Sequence, residues 1–280
     1  MLQPWEYRLN KVNFSHDLVK FAYLPSRNIM EEQTHIIATF TELAPRYEEV
    51  VNSELNRFWG WSYAGFVGKL VEMTPFSEKK KILDLATGTG VLPRKVITEH
   101  LNNGPVHGLD ITRSMLLRAR EKAAAARIMD RMPLVCASAM DIPYASGTFD
   151  LITCALATHH MDISRLLSET HRVLCEQGML SMADVGGSKL WKMPVVKFLL
   201  RVAAFVYFLL KENLSRAWAE AEAVSNVRSP EEWNALLIEA GFRNIRITRL
   251  KSTHRWIPEP LVIQAVKQNP GGTSCIHDAC

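Results

Sequence analysis

Ile82-Leu83-Asp84-Leu85-Ala86-Thr87-Gly88-Thr89-Gly90 is the stretch that decides the architecture. An apolar strand runs into small residues and glycines and then directly into a helical pattern. Small residues there let a ligand touch the backbone, and the helix N-terminus offers unpaired N–H groups to a carboxylate or phosphate. A second apolar run, Val106-His107-Gly108-Leu109-Asp110, ends on an acid 20 residues beyond Gly90. An acid at that offset is placed to accept hydrogen bonds from two ribose hydroxyls. A dinucleotide fingerprint would need a third glycine at position 93, where this chain has Pro93. That disfavours a nicotinamide oxidoreductase, while a nucleoside carrying an amino-acid carboxylate still fits.

Outward from this loop, strand-like runs recur at 81–86, 106–110, 133–136, 149–155, 179–184, 244–250 and 261–266, with helical stretches at 91–101, 114–126, 162–175 and 230–240. Such alternation predicts an α/β fold with a doubly wound, mainly parallel sheet covered on both faces. Ser229-Pro230-Glu231-Glu232 reads as a capping box with proline at the first helical position, and Gly241 is placed to end that helix. Two regions break the rhythm: the aromatic-rich, mostly helical residues 1–78, and an insertion of two helices at about 187–227. The expected organisation is a helical cap or substrate lid at 1–78, a ligand-binding domain at 79–268 containing the insertion, and a flexible tail at 269–280.

Composition narrows the functional classes. Of 280 residues, 48% are apolar and 22% charged, as in a folded chain with a sizeable core, and the net charge of +4 is too mild for a nucleic-acid binder. Five cysteines without a C-x-x-C pair read as free thiols in a reducing compartment, so a cytoplasmic location is expected. Histidines and cysteines do not recur at metal-ligand spacing, and no metal is expected. The longest apolar stretch, Leu190 to Leu210, is interrupted by Lys192, Lys197 and Arg201 and is too short uninterrupted to span a bilayer. Lys197 and Arg201 share one helical face beside a strongly apolar one, which suits a lid helix or a helix lying on a membrane surface.

Leu83-Asp84-Leu85-Ala86-Thr87-Gly88-Thr89-Gly90, followed by Leu109-Asp110-Ile111-Thr112 and Ser114-Met115-Leu116, resembles the class I S-adenosylmethionine-dependent methyltransferases. Pro143-Tyr144 leading to Phe149-Asp150, then Thr158-His159-His160-Met161 and Glu169-Thr170-His171-Arg172-Val173-Leu174, look like later segments of that family. Phe40 to Glu48 is similar to the entry of the UbiE/COQ5-type quinone C-methyltransferases (methyltransferase type 11). The resemblance implies a Rossmann-like sheet of seven strands, the last antiparallel, with S-adenosylmethionine as cofactor. Ala86, Thr87, Gly88 and Gly90 would then lie against its methionine portion, with Asp84 orienting the loop. Asp110 would hold the ribose, and Ile111 and Met115 would flank the adenine. Ser138, Ala139 and Met140 would meet the adenine edge, Ser138 replacing a longer polar residue, and Ala155 would complete the site.

Methyl transfer needs alignment, exclusion of water and, for some acceptors, removal of a proton. His159 and His160, just past the fourth expected strand, are candidates for a general base, His160 being favoured. Tyr47 could contact the cofactor carboxylate or orient the substrate. The aromatic residues Phe58, Trp59, Trp61, Tyr63 and Phe66, with Phe198, Phe205, Tyr207 and Phe208 of the inserted helices, are expected to wall a pocket for a lipophilic small molecule. C-methylation of a prenyl, quinone-like or other natural-product acceptor is favoured. O- or N-methylation of such a molecule, and cyclisation coupled to or replacing methylation, stay open. So do peripheral membrane contact and a homodimer.

Overall fold

The computed structural model describes residues 19–20, 27–79, 81–254 and 257–268. The tail expected at 269–280 lies outside the described residues, as does most of 1–26. Eight strands form one sheet: β1 (Val19–Lys20), β2 (Ile82–Leu85), β3 (Val106–Asp110), β4 (Leu134–Cys136), β5 (Phe149–Ala155), β6 (Leu174–Asp184), β7 (Phe242–Arg249) and β8 (Leu261–Lys267). Their order is β1-β4-β3-β2-β5-β6-β8-β7. The seven strands expected from the sequence are all present, and β8 alone runs antiparallel to its neighbours β6 and β7. The two-residue β1 adds to the β4 edge.

Strand order reverses between β2 and β5, which pair in parallel. The chain winds from β2 through β3 to β4 on one side and from β5 to β6 on the other. A crevice therefore opens at the carboxyl ends of β2, β3 and β5, where doubly wound sheets take their ligands. Helices α4 (Val91–Thr98), α5 (Arg113–Ala125), α6 (Ile163–Val173) and α9 (Pro230–Glu239) make the crossovers. The α9 start carries the expected capping box, with Ser229 and Glu232 bonded reciprocally.

Each sheet face has its own core. Phe66, Leu70, Ile82, Val96 and Leu116 are buried on one side, and Leu83, Leu166, Trp233 and Phe242 on the other. This is why β2 reads as an unbroken apolar run apart from Asp84, as a strand buried on both faces should. Helices α1 (Arg27–Leu43), α2 (Tyr47–Trp59) and α3 (Tyr63–Met73) lie across the first face and the crevice. Between β6 and β7, helices α7 (Pro194–Lys211) and α8 (Leu214–Ala223) form a hairpin, and α8 meets α1 through the Thr39–Ser215 hydroxyl pair at 2.8 Å. The two helical additions thus close over the carboxyl edge of the sheet together.

Candidate active site

The loop after β2 is shaped by three left-handed residues, Ala86 at φ 49°, Gly88 at 55° and Gly90 at 76°. The two glycines do different work. A Cβ on Gly88 would meet nothing nearer than Tyr47 Cε1 at 3.7 Å, so the missing side chain opens space in the crevice. A Cβ on Gly90 would stand 2.4 Å from Met132 Cε and 3.3 Å from Ala119 Cβ, so Gly90 seats the α4 N-terminus against α5. Thr87 is buried and approaches the backbone of β3 at Gly108.

Asp110 closes β3 at the bottom of the crevice, 7% exposed. Its Oδ2 accepts from the Gly88 N–H at 2.9 Å and its Oδ1 from the Thr112 N–H at 2.8 Å. Burial pushes its pKa up to about 6 despite those donors. The Thr112 side chain also hydrogen-bonds the carboxylate, and the remaining lone-pair capacity is left for an outside donor. Asp84 lies deeper, where its Oδ1 accepts from the Thr153 hydroxyl at 2.7 Å and ties β2 to β5. Burial, with Asp110 nearby, raises Asp84 to about 7.

Ala86, Gly88, Asp110, Ile111, Met115, Ser138, Ala139 and Met140 line one cleft together. Asp84, Thr87, Gly90 and Ala155 do not. Ala155 pairs with Ala183 in the ladder, and the chain turns at Leu156 (φ 55°), so Leu156 and Ala157 face the cleft in its place. Helix α1 roofs the cleft with Gln33, Ile36 and Phe40, and the Ser138 hydroxyl donates to Gln33 Oε1 at 3.0 Å. Under this roof the cleft measures about 60 Å³. Glu48 of α2 clamps the same loop from outside, its Oε1 accepting from Thr89 at 2.5 Å, Lys122 at 2.6 Å and Arg94 at 3.1 Å.

A second cavity of about 430 Å³ adjoins the first, and Phe40, Tyr47, Leu156 and His160 stand in both. Its walls are mostly apolar: Val51, Leu55, Phe58 and Trp59 from α2, and Leu200, Ala203, Ala204, Tyr207 and Phe208 from α7. Among the expected aromatic walls, Phe58, Trp59, Tyr207 and Phe208 line this chamber, while Trp61, Tyr63, Phe66, Phe198 and Phe205 do not. Phe198 is 65% exposed and Phe205 packs edge-on against Trp218. Each falls two residues from a chamber-facing position, about 200° around the helix. Trp61 is turned outward and donates its indole N–H to Lys251 O at 2.8 Å. Tyr63 sits behind Tyr47, ring edge to ring face with centroids 6.0 Å apart. Burial holds the Tyr47 hydroxyl well above the usual phenol range, so it stays protonated.

His159 and His160 occupy a one-turn helix, Thr158–His160, after β5. His159 Nδ1 meets Asp184 Oδ1 at 2.7 Å. Asp184 also accepts from the N–H groups of Thr158 and Val185 at 2.8 and 2.7 Å and from the Thr158 hydroxyl. Burial would keep His159 neutral, but the Asp184 carboxylate outweighs it and raises the pKa, while Asp184 itself is lowered. His160 is driven well below the ordinary imidazole value by burial, the His159 charge and Arg216. His160 is therefore neutral and able to take a proton at the junction of the two cavities. His159, His160 and Glu220 offer ligand atoms within 4.8 Å of one another. His159 is engaged by Asp184 and Glu220 by Arg216 at 3.1 Å, and that guanidinium opposes a cation.

Sequence reasoning missed Gln33 and Ile36, Asp184, and the trio of buried Arg216 with half-buried Glu54 and Glu220. Asp184 carried a signal, an acid at the end of a strand near the switch point. The trio comes from α2 and α8, and no local pattern marks it.

A methyltransferase-domain family model matches residues 82–178. The demethylmenaquinone methyltransferase of Thermus thermophilus is 30% identical over 207 residues, covering 72% of this chain and 90% of that protein. The ubiquinone/menaquinone biosynthesis C-methyltransferase UbiE of Geobacter sulfurreducens is 27% identical over 222 residues, covering 77% and 84%. Phosphoethanolamine N-methyltransferase 2 of Haemonchus contortus, solved with S-adenosyl-L-methionine, matches with a TM-score of 0.59 at 15% identity, over 82% of this chain and 60% of that one. At that identity the structural match speaks for the fold alone.

Proposed function

This chain belongs to the UbiE-like class I S-adenosylmethionine-dependent methyltransferases, and we propose that it methylates carbon on a lipophilic, quinone-like small molecule. The observation that carries this reading is the union of the two cavities at Tyr47 and His160. One cavity has the polar floor of a nucleoside site; the other, at about 430 Å³, lies within the ~300–1,000 Å³ of small-molecule pockets and is mostly apolar. Two relatives whose names specify quinone-ring acceptors support the same substrate class.

The cleft residues fit S-adenosylmethionine. Asp110 keeps lone-pair capacity for the ribose, the open Cβ side of Gly88 admits a close approach, and Met115 and Ala139 give apolar faces for a base. When bound, the cofactor supplies an electrophilic methyl on a sulfonium. For it to enter, Gln33 must release Ser138 and α1 must lift, which makes the cap a lid. The chain's own residues would do the rest: the apolar chamber excludes water, Tyr47 orients the acceptor, and neutral His160 removes its proton. His159, locked to Asp184, positions the turn that carries His160.

Helix α7 supports a further part of this reading, contact with an anionic membrane surface. One face walls the chamber; the other leaves Val195, Phe198, Leu199, Val202, Val206, Leu209 and Leu210 exposed. The helix contains Lys197, Arg201 and Lys211 and no acidic residue. Among the described residues no helix is long and apolar enough to cross a membrane. A helix lying in the interface would give a lipid-dissolved acceptor a short path into the chamber.

The test is incubation with labelled S-adenosylmethionine and a short-chain prenylated 1,4-naphthohydroquinone, with product analysis by mass spectrometry and NMR. Label on a ring carbon is expected. Label on oxygen would replace the carbon reading with O-methylation, and a cyclised, unlabelled product would replace methyl transfer.

A further inference from the structure

Helix α1 presents Gln33, Ile36 and Phe40 to the cleft, at i, i+3 and i+7 on one helical face. Two of the three are apolar, as a buried stripe should be; Gln33, 8% exposed, breaks it. A buried amide needs partners for both its carbonyl and its NH2 group. Gln33 Oε1 accepts from the Ser138 hydroxyl at 3.0 Å, and Ser138 Oγ in turn accepts from the Met140 N–H at 3.2 Å. With its oxygen so engaged, the hydroxyl directs its proton to Gln33 and orients the amide. Among the described residues Ser138 is the one hydrogen-bond partner of that amide.

The other polar side chains of the cleft are committed elsewhere. Asp110 and Thr112 bond each other, and Tyr47 and His160 stand at the junction with the chamber. Asp141, three residues past Ser138, does not line the cleft and acts instead on the charge of Arg172. At the end formed by Ile111, Met115 and Ala139, Gln33 is therefore the side chain with both an acceptor and a donor to offer. A primary amide sets the two side by side, the complement of an aminopurine edge, where an amino donor neighbours a ring-nitrogen acceptor.

Resting on the cofactor placement proposed above, we infer that Gln33 is the residue that reads the cofactor's base. Its Oε1 accepts from the 6-amino group, so the preference for an aminopurine comes from the cap rather than from the short Ser138 in the loop after β4. Phe40, about two turns further along the same face, walls the chamber and packs edge-on against His160 with ring centroids 5.3 Å apart. One rigid helix thus carries the base reader at one end and a chamber wall at the other. Closing Gln33 on the base also seats Phe40 against His160, and the chamber is completed when an aminopurine nucleoside is in place.

The test is calorimetry with two probes, S-adenosylhomocysteine and its analogue with hydrogen in place of the 6-amino group. Wild-type protein should bind the amino compound about tenfold more tightly. Q33A should lose about that factor on the amino compound and bind the two probes equally. Q33E keeps an oxygen at the same reach and should keep the preference. Hydrogen exchange along α1, residues 27–43, gives a second reading: at saturation of both probes, the amino compound should slow it more in the wild type. An amine preference that survives Q33A, no preference in the wild type, or equal protection of α1 by the two probes overturns the inference. If D110N then still weakens the binding of both probes, the cofactor placement stands without it. Binding of neither probe to the wild type removes both readings.

Discussion

His159 and His160 are neighbours with ring centroids 4.3 Å apart, and the fold drives their protonation in opposite directions. Asp184 raises the pKa of the first against the effect of burial; burial, the neighbouring His159 and Arg216 lower that of the second. Two groups of one type are thereby driven apart, the first toward its protonated form and the second toward its neutral one.

His160→Gln is expected to lower kcat about 100-fold. Cofactor affinity, measured by calorimetry, should change far less than kcat, because glutamine keeps a polar side chain of similar reach where His160 borders the cofactor cleft. Since the His160 pKa lies well below 6.5, the wild-type rate should not begin to fall at the pH where an exposed histidine titrates. A rate near wild type in His160→Gln would return the residue to pocket lining.

Asp184→Asn should act mainly on stability. His159, with a raised pKa, contributes stability that is complete below its unfolded value of 6.5 and fades as pH climbs through the folded value. Asp184, with a lowered pKa, contributes above 3.8 and loses it as pH falls through its own folded value. Breaking a buried pair costs about 3–5 kcal/mol. The loss in melting temperature should therefore be largest near pH 6 and smaller at pH 9. A pH-independent loss would contradict the ion pair.

Cofactor binding should weaken in acid. Asp110 must be ionised to accept from the ribose, and its pKa is pushed up to about 6. Below that value affinity should drop by about tenfold per pH unit, since a unit corresponds to 1.36 kcal/mol. Asp110→Asn should remove the dependence and bind about 1–3 kcal/mol more weakly throughout, one acceptor having become a donor. A flat titration in the wild type would separate Asp110 from the ribose.

The sheet was legible because its signals are local. Val106–Asp110 and Phe149–Ala155 have the ends read from apolar runs alone. Strand β6 starts at Leu174 rather than 179 because the backbone of Leu174 already pairs with Phe149. The chamber was less legible. The abundance of aromatics in α7 pointed to a wall, but with apolar residues on nearly every face of the helix, nothing local distinguished Tyr207 and Phe208 from Phe198 and Phe205. Arg216 needs Glu54, 162 residues away, before its burial makes sense. Gly90 looked like Gly88 in sequence, and only Met132 on a distant segment tells them apart.

That contrast is testable. Both glycines hold left-handed φ, so an alanine at either carries strain of roughly 1–2 kcal/mol. Gly90→Ala must also displace Met132 and crowd Ala119, and should lose the more stability of the two, with cofactor affinity less affected. Gly88→Ala projects into the cleft toward Tyr47 and should lose cofactor affinity out of proportion to its stability. Chemical denaturation and calorimetry on the two variants separate the cases; equal losses in both would mean that Gly88 does not face the ligand.

The outer face of α7 gives the last prediction. If it rests on an anionic bilayer, the chain should sediment with vesicles of phosphatidylcholine and phosphatidylglycerol and leave them at high salt. Each basic residue near such a surface contributes about 1 kcal/mol. The double change Lys197→Glu and Arg201→Glu should therefore weaken vesicle binding at least tenfold. Phe198→Glu should weaken it too, through the exposed ring that has no place in the chamber. None of the three side chains lines a cavity, so turnover on a detergent-dissolved acceptor should hold in both variants. Vesicle binding that survives all three changes would remove the membrane from this face. If the chain also runs at twice its monomer mass, and the same substitutions halve that mass, the face is a contact between two copies.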